Sequence, residues 1–148
     1  MVKFLKDINL KGKVSVITGA TKGIGRSTAI AMHQVGAFVV AIGRNVSELA
    51  SLKKKLKTRV QCIECDINDY EKVSKIIKSL KRIDVLVNNA GTNLPEPFLK
   101  VKKASLETLL NINTKAAFNI ARLCTDKMLK LRNRKKVGGA IIHTSSMF

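Results

Sequence analysis

The chain has 148 residues, with 28 lysine and arginine residues against 10 aspartate and glutamate residues, so its formal net charge is +18. Hydrophobic residues make up 45% and aromatic residues 4%, which predicts an aliphatic core and excludes both a disordered chain and a small disulfide-stapled scaffold. The amino terminus is charged from its third residue, and no apolar run reaches the roughly 18 residues that a transmembrane helix requires. We therefore expect a cytoplasmic protein with no membrane partner.

Apolar runs of strand length alternate with amphipathic segments along the first part of the chain. The runs predict strands over residues 14–18, 38–42, 59–64 and 84–88, and the segment after the first run predicts a helix over 24–35. Asn45-x-x-Glu48 and Asn68-x-x-Glu71 are capping-box patterns, which predict that the second and third helices begin at these two asparagines.

Beyond a loop that contains Pro95 and Pro97, the pattern predicts two helical stretches, the second from about residue 105 to 132. Gly138-Gly139 then leads into a fifth predicted strand over 140–144. Strands that alternate with helices indicate a parallel sheet with right-handed crossovers, which is a doubly wound α/β fold with helices on both faces. No internal repeat or low-complexity linker divides residues 1–148, so we predict one domain.

The three cysteines, Cys62, Cys65 and Cys124, are odd in number, which argues against a disulfide framework. Cys62-x-x-Cys65 has the spacing of a metal or redox motif, but it falls on a predicted strand, where residues three apart point to opposite faces. We therefore predict that the cysteines are small buried hydrophobic residues and that the chain holds no metal.

The most informative segment is Thr18-Gly19-Ala-Thr-Lys22-Gly23-Ile24-Gly25, between the first predicted strand and the first predicted helix. Glycines here let the backbone turn tightly and approach a pyrophosphate, while the helix N-terminus offers unpaired N–H groups to the anion. The alternative is a plain connection between strand and helix, which glycines also form. The position directly after a strand and before a helix favours the phosphate site.

This pattern resembles that of the short-chain dehydrogenase/reductase family, T-G-x-x-x-G-I-G, at every fixed position. Four further segments are similar to family motifs, in the family's order: Cys65-Asp66-Ile67, Asn88-Asn89-Ala90-Gly91, Ile112-Asn113-Thr114, and the segment from Ile141 to Ser146. The resemblance implies a Rossmann-type cofactor-binding fold over the whole chain.

The resemblance also implies roles for these residues. Asp66-Ile67 stands where the family places an aspartate that contacts the adenine, and Asn89-Ala90-Gly91 shapes the cofactor pocket. Asn113 and Ser146 match members of the family's catalytic set, in which the asparagine anchors a water of the proton relay and the serine orients the substrate carbonyl. The alternatives are that Asn113 is one polar helix residue among several and that Ser146 is a turn residue after a strand.

The charge at the end of the second predicted strand indicates which nicotinamide cofactor the chain would bind. Proteins that use NAD place a carboxylate there for the ribose 2′-OH, whereas this chain has Gly43-Arg44 and no acid before Glu48. A guanidinium matches a 2′-phosphate, and Lys22 brings a second cation to the same phosphate. We therefore predict NADPH; the alternative is that Arg44 is an exposed residue at the start of a helix.

Within the family, the chain resembles the dicarbonyl and L-xylulose reductases and related carbonyl reductases. The similar segments are Lys22 to Arg26, the Gly43-Arg44 strand end, Val85 to Asn89 and Glu96-Pro-Phe-Leu99. The resemblance implies hydride transfer from NADPH to a small carbonyl substrate, a ketose or an α-dicarbonyl, and a full-length relative that forms homo-oligomers.

One part of the family's catalytic set has no match in this sequence. A Tyr-x-x-x-Lys pair would follow Ser146, but the sequence ends at Phe148 and its only tyrosine is Tyr70. We therefore expect a sheet truncated after its fifth strand, in a chain that binds cofactor but is catalytically incomplete. The alternative is a non-catalytic nucleotide-binding or interaction module.

Two basic runs, Lys53 to Arg59 and Lys130 to Lys136, raise nucleic-acid binding as a function of a different class. Both runs fall at predicted helix C-terminal ends, where cations complement the helix dipole, and no aromatic residues stand among them to stack on bases. In the predicted fold, these ends lie at the sheet edge opposite the cofactor cleft. We therefore predict no nucleic-acid partner.

Overall fold

A computed structural model describes residues 8–131 and 138–145. These residues form a parallel sheet with the order β3-β2-β1-β4-β5. The strands are β1 (Val14–Thr18), β2 (Phe38–Gly43), β3 (Val60–Glu64), β4 (Val85–Asn88) and β5 (Ala140–His143). In this order β1 pairs with β2 on one side and β4 on the other, which confirms the predicted doubly wound α/β fold.

The α-helices of the described residues are α1 (Gly23–Gln34), α2 (Val46–Leu56), α3 (Tyr70–Ser79), α4 (Lys103–Leu110) and α5 (Ala117–Leu129). The predicted bounds of β1 agree with the structure. Those of the other strands differ by one residue at one end, and those of α1 by one residue at each end. The alternation of apolar runs and amphipathic segments was therefore a sound guide to the elements.

The capping patterns hold at α2 and fail at α3. Asn45 caps α2 as predicted, because its Oδ1 accepts from the backbone N–H of Glu48 at 3.0 Å. The prediction that Asn68 caps α3 is wrong, since Asp69 accepts instead from the backbone N–H of Lys72 at 2.9 Å. The Asp66 carboxylate accepts from the N–H of Asn68 at 2.9 Å, and this local turn delays the helix start by one residue.

The two candidate caps of α3 can be separated by mutation. We expect Asp69→Ala to lower the free energy of unfolding by about 1 kcal/mol, the usual loss for an N-cap. Asn68→Ala should change it by less than about 0.5 kcal/mol, because Asn68 does not supply the capping oxygen. Urea unfolding followed by circular dichroism measures both, and equal losses would contradict the assignment of the cap to Asp69.

The helix predicted over about 105–132 differs from the structure. A π-helical segment, Asn111–Ala116, separates α4 from α5, and the first of the two expected stretches is reduced to a 3₁₀ turn, Phe98–Lys100. The buried Asn88 donates from Nδ2 to the carbonyl of Ala117 at 2.8 Å, directly after the π-helical segment. A polar side chain that bonds to a helix carbonyl perturbs the regular backbone ladder, and a sequence period does not reveal it.

Apolar side chains cover both faces of the sheet. One cluster joins β1, β2 and β4 to α3 and α5, through residues that include Val16, Val40, Leu86, Ile77 and Ile120. The other joins β1 and β2 to α1 and α2, through residues that include Ile17, Val39, Ala41, Ala29 and Leu52. Strand residues of alternating position therefore reach opposite faces, as the pleat requires.

The cysteines follow this division between the faces. Cys65 belongs to the cluster under α3 and α5, while Cys62 packs against the cluster under α1 and α2, so the two thiols lie on opposite faces as predicted. Burial raises the pKa of the Cys124 thiol to about 12, so this thiol stays protonated at neutral pH. Within residues 8–131 and 138–145, no group of His, Cys, Asp or Glu could hold a metal ion.

The first of the two basic runs lies away from the predicted cofactor cleft. Lys53 to Lys57 lie at the C-terminal end of α2, near the amino ends of the strands and opposite the glycine turn. Residues 132–137 of the second basic run lie outside the described residues.

All four residues of β5, which is an edge strand of the sheet, are exposed. None of the helices formed by the described residues combines the length and apolar composition needed to cross a membrane.

Candidate functional site

The carboxyl ends of β1 and β4 lie side by side at the point where the strand order reverses. In open parallel α/β sheets, ligands bind in the crevice at this point. The predicted phosphate turn, residues 18–25, leaves β1 here, and Asn89-Ala90-Gly91 leaves β4. The fold therefore brings together two segments that are about 70 residues apart in sequence.

Thr18 and Asn89 join these two segments by hydrogen bonds. Oγ1 of the buried Thr18 accepts from the backbone N–H groups of Asn89 and Ala90, both at 3.0 Å. Nδ2 of Asn89 donates to the carbonyls of Thr18 at 3.2 Å and Gly19 at 3.3 Å. Oδ1 of Asn89 also accepts from the Thr144 hydroxyl at 3.3 Å. These bonds hold the ends of β1, β4 and β5 in one unit.

The glycines of the turn serve different purposes. A Cβ at Gly19 would lie 2.8 Å from the Cα of Ala90, and a Cβ at Gly25 would collide with the carbonyl oxygen of Gly19 and the Asn89 side chain. Gly23 instead has open space where a Cβ would stand, and its φ of +54° is the reason for glycine there. The turn is therefore tightly packed against β4 and open at Gly23.

The N-terminus of α1 is suited to an anion. Lys22 occupies the cap position without a side-chain capping bond, and the first turn contains no acidic residue. By contrast, side chains cap α2 and α3, and each of these helices has a glutamate in its first turn. The unpaired N–H groups and the positive end of the α1 dipole thus fit a phosphate group. Ile24, in the same turn, leaves 66% of its surface exposed.

Arg44 and Asp66 meet beyond the ends of β2 and β3. Nη1 of Arg44 lies 3.7 Å from Oδ2 of Asp66, and the two side chains are 72% and 45% exposed. Ile67 packs against the core and lines a cavity of about 480 Å³ between this loop and the helical segment 108–120. The residues predicted to contact the 2′-phosphate and the adenine are therefore neighbours, as two groups of one adenosine would require.

Asn113 lies in the π-helical segment and bonds to the loop that follows β4. Its Oδ1 accepts from the backbone N–H of Thr92, and its Nδ2 donates to the carbonyl of Thr92, both at 2.9 Å. A Cβ at Gly91 would approach Oδ1 of Asn113 to 3.3 Å, so the loop packs closely here. Irregular helical turns of this type are frequent at functional sites. Ser146, the other predicted catalytic residue, lies outside the described residues.

Arg26 is a residue of this region to which sequence reasoning assigned no role of its own. Its guanidinium forms an ion pair with Glu48, at 3.4 Å, and joins α1 to α2. The sequence contains one signal of this contact. The helix dipole disfavours a cation in the first turn of a helix, so the position of Arg26 indicates an acceptor on another element.

Comparison with known proteins decides the family. The sequence model of the family described as short chain dehydrogenase matches residues 13–148. The chain belongs to this short-chain dehydrogenase family. It is 35% identical over 140 residues to the L-xylulose reductase of Mesocricetus auratus, covering 95% of this chain and 55% of that protein. It is 34% identical over 147 residues to a 3-oxoacyl-(acyl-carrier-protein) reductase of Thermotoga maritima, covering 95% of this chain and 58% of that protein.

A solved structure supports the same assignment for this short-chain dehydrogenase. A short-chain type dehydrogenase/reductase from Mycobacterium marinum superposes with a TM-score of 0.84 at 27% identity, covering 94% of this chain and 57% of that one. The chain spans about half the length of the curated relatives it matches. The predicted Rossmann-type fold and the resemblance based on five motifs are thus confirmed, and the family is one of oxidoreductases that bind a nicotinamide cofactor.

Proposed function

We propose that this short-chain dehydrogenase binds NADPH and forms part of an enzyme that reduces the carbonyl of a small ketose or α-dicarbonyl. The observation that carries the cofactor assignment is the uncapped N-terminus of α1 at the switch point, together with Arg44 and no carboxylate directly after β2. The name of the L-xylulose reductase relative supports a ketose as the substrate. The name of the 3-oxoacyl reductase relative supports a 3-oxoacyl substrate instead.

Each part of the site has a task in this proposal. The backbone N–H groups of the turn ending at Gly25 bind the pyrophosphate, and Arg44 and Lys22 supply charge to the 2′-phosphate. Asp66-Ile67 holds the adenine, and Asn89-Ala90-Gly91 forms the pocket wall. Bound NADPH would supply the hydride.

The remaining residues orient the substrate side of the pocket. Asn113 holds Thr92 through two hydrogen bonds and so keeps the loop after β4 in place. Ser146 orients the substrate carbonyl. Tyr70 is not the proton donor of this proposal, because it begins α3, its hydroxyl accepts from Arg122 at 3.1 Å, and Ser74 rather than a lysine follows it at the fourth position. In this proposal, residues 1–148 supply the cofactor site, and Tyr70 does not serve as the proton donor.

The cofactor assignment is tested by binding. We expect the chain to bind NADPH at least about tenfold more tightly than NADH in a fluorescence titration, because the guanidinium pairs with the 2′-phosphate. Arg44→Ala should weaken NADPH binding about tenfold and leave NADH binding nearly unchanged. Lys54→Ala removes the same charge at the exposed far end of α2 and should change neither constant. Tighter binding of NADH by the unaltered chain would contradict the proposal.

A turnover assay tests whether the chain of 148 residues is catalytically complete. We expect no oxidation of NADPH when the chain is mixed with diacetyl or L-xylulose, and oxidation would show that it is catalytically complete. Binding of neither cofactor would favour the interaction module. For a form of the protein that includes a Tyr-x-x-x-Lys pair, we expect faster oxidation with L-xylulose than with a 3-oxoacyl thioester, and the reverse would replace the proposed substrate.

A further inference from the structure

Arg26 lies in the first turn of α1, directly behind the phosphate turn, and is largely buried. Its side chain is 21% exposed. The positive end of the helix dipole opposes a cation at this position, and the first turn of α1 contains no acidic residue that would compensate for it. The acceptors that offset the charge of Arg26 therefore come from another element of the fold.

That element is the first part of α2. Nη2 of Arg26 donates to the Ser51 hydroxyl at 2.9 Å, and Nη1 donates to the carbonyl of Glu48 at 3.0 Å. Nη1 also lies 3.4 Å from the Glu48 carboxylate and 3.5 Å from the carbonyl of Thr21, which belongs to the phosphate turn. One planar guanidinium thus spans the phosphate turn and α2.

The residue that leads from β2 into α2 is Arg44. It follows the last residue of β2, Gly43, where a Cβ would lie 2.5 Å from the Thr21 methyl group, and it precedes Asn45, the cap of α2. The cap bonds to the same Glu48 that Arg26 holds, since Oδ1 of Asn45 accepts from the Glu48 N–H at 3.0 Å. A shift of the first turn of α2 would therefore change the position of Arg44 relative to the phosphate turn.

We propose that Arg26 is a positioning residue that sets the distance between the phosphate turn and the start of α2, and thereby the preference for a 2′-phosphorylated cofactor. The proposal rests on the NADPH site described above. Arg26 acts through Arg44 and Glu48, because its own donors are directed to acceptors of the protein. Its charge is paired with Glu48, so its effect on the 2′-phosphate comes from geometry and not from an added positive field.

Two substitutions separate geometry from charge. Arg26→Met removes the guanidinium and keeps the apolar stem, while Arg26→Lys keeps the charge and loses the planar fork that reaches both Glu48 and Ser51. We expect both to weaken NADP⁺ binding about tenfold and to change NAD⁺ binding less than about twofold, as measured by calorimetry on the 148-residue chain. Amide exchange at residues 46–48 should become faster in both variants.

Arg122→Met is the matched control for Arg26→Met. It makes the same change on α5, where the guanidinium bonds to the Tyr70 hydroxyl, and should leave both dissociation constants unchanged. If Arg26→Met does not fold, Ser51→Ala removes one acceptor and should weaken NADP⁺ binding about threefold. Full NADP⁺ preference in Arg26→Lys, or equal loss of both cofactors in Arg26→Met, would overturn the positioning role. An unaltered chain that binds no NADP⁺ would overturn the NADPH site, and with it this proposal.

Discussion

Gly25→Ala is expected to lower the free energy of unfolding by about 3 kcal/mol and to weaken NADPH binding at least about tenfold. The added methyl group would collide with the carbonyl oxygen of Gly19 and with the Asn89 side chain. The backbone of the turn cannot yield as a flexible side chain would, because Asn89 and Thr18 hold it against β4. Thermal unfolding and a cofactor titration of the variant measure the two effects.

Gly12→Ala is the matched control for this prediction. Unlike Gly25, Gly12 has open space where a Cβ would stand. It lies before β1, at the amino ends of the strands and away from the turn, and its φ is +75°. We expect a loss of about 1–2 kcal/mol from its left-handed backbone alone and no change in NADPH binding. If Gly25→Ala instead lost no more stability than Gly12→Ala and bound NADPH normally, the packed contact between Gly25 and Gly19 would be refuted.

Asp84→Asn is expected to lower the free energy of unfolding by about 2 kcal/mol at neutral pH, through loss of charge-assisted hydrogen bonds. Asp84 is 4% exposed and precedes β4. Its Oδ2 accepts from Nε of Arg82 at 2.6 Å and from the N–H of Val14 at 2.9 Å, and its Oδ1 accepts from Nη2 of Arg82 at 2.8 Å. The carboxylate thus joins the starts of β1 and β4.

The same carboxylate makes stability depend on pH. Burial alone would raise the pKa of Asp84, but the bond from Arg82, the N–H of Val14 and the charges of Arg82 and Lys13 outweigh burial and hold the pKa below its ordinary value. The stabilisation is therefore fully present above the unfolded pKa of about 3.9 and is lost as the pH falls through the lower folded pKa. Urea unfolding at neutral pH and at steps below pH 4 should show the difference between the unaltered chain and Asp84→Asn shrinking.

Asp126→Asn provides the control for Asp84. Asp126 pairs with Lys130 at 2.7 Å, but both side chains are more than half exposed. We expect this substitution to change the free energy of unfolding by less than about 0.5 kcal/mol at any pH, because solvent screens an exposed pair. Equal effects of the two substitutions would mean that burial does not strengthen the Asp84 pairing.

The strands and the phosphate turn could be predicted because their signals are local. An apolar run bounded by turn residues indicates a strand wherever it packs, and the spacing from Thr18 to Gly25 is set by the turn itself. The cap of α3 could not be predicted in the same way. Asn68 and Asp69 both carry a capping oxygen, and the bond from the Asn68 N–H to Asp66 decides between them.

The site was predictable as a set of positions and not as a set of contacts. Motifs placed Gly19, Arg44 and Asn113 in the site, but they did not reveal that Asn113 holds Thr92 or that Arg44 lies beside Asp66. The π-helical segment also escaped the helical period, because it accompanies a bond from Asn88, 29 residues before Ala117. Each of these contacts joins elements that meet only when the sheet is assembled.

By itself, the sequence determined the α/β class, the glycine turn and the family, since these depend on spacings within one strand, turn or helix. Only the tertiary structure decided which side chains hold the site in place. Arg26 joins α1 to α2, Asn89 joins the ends of β1 and β4, and Asp84 joins the starts of the same two strands. The reason is physical, because such side chains acquire partners through the order of the strands, which brings residues 22 to 71 positions apart into hydrogen-bond distance.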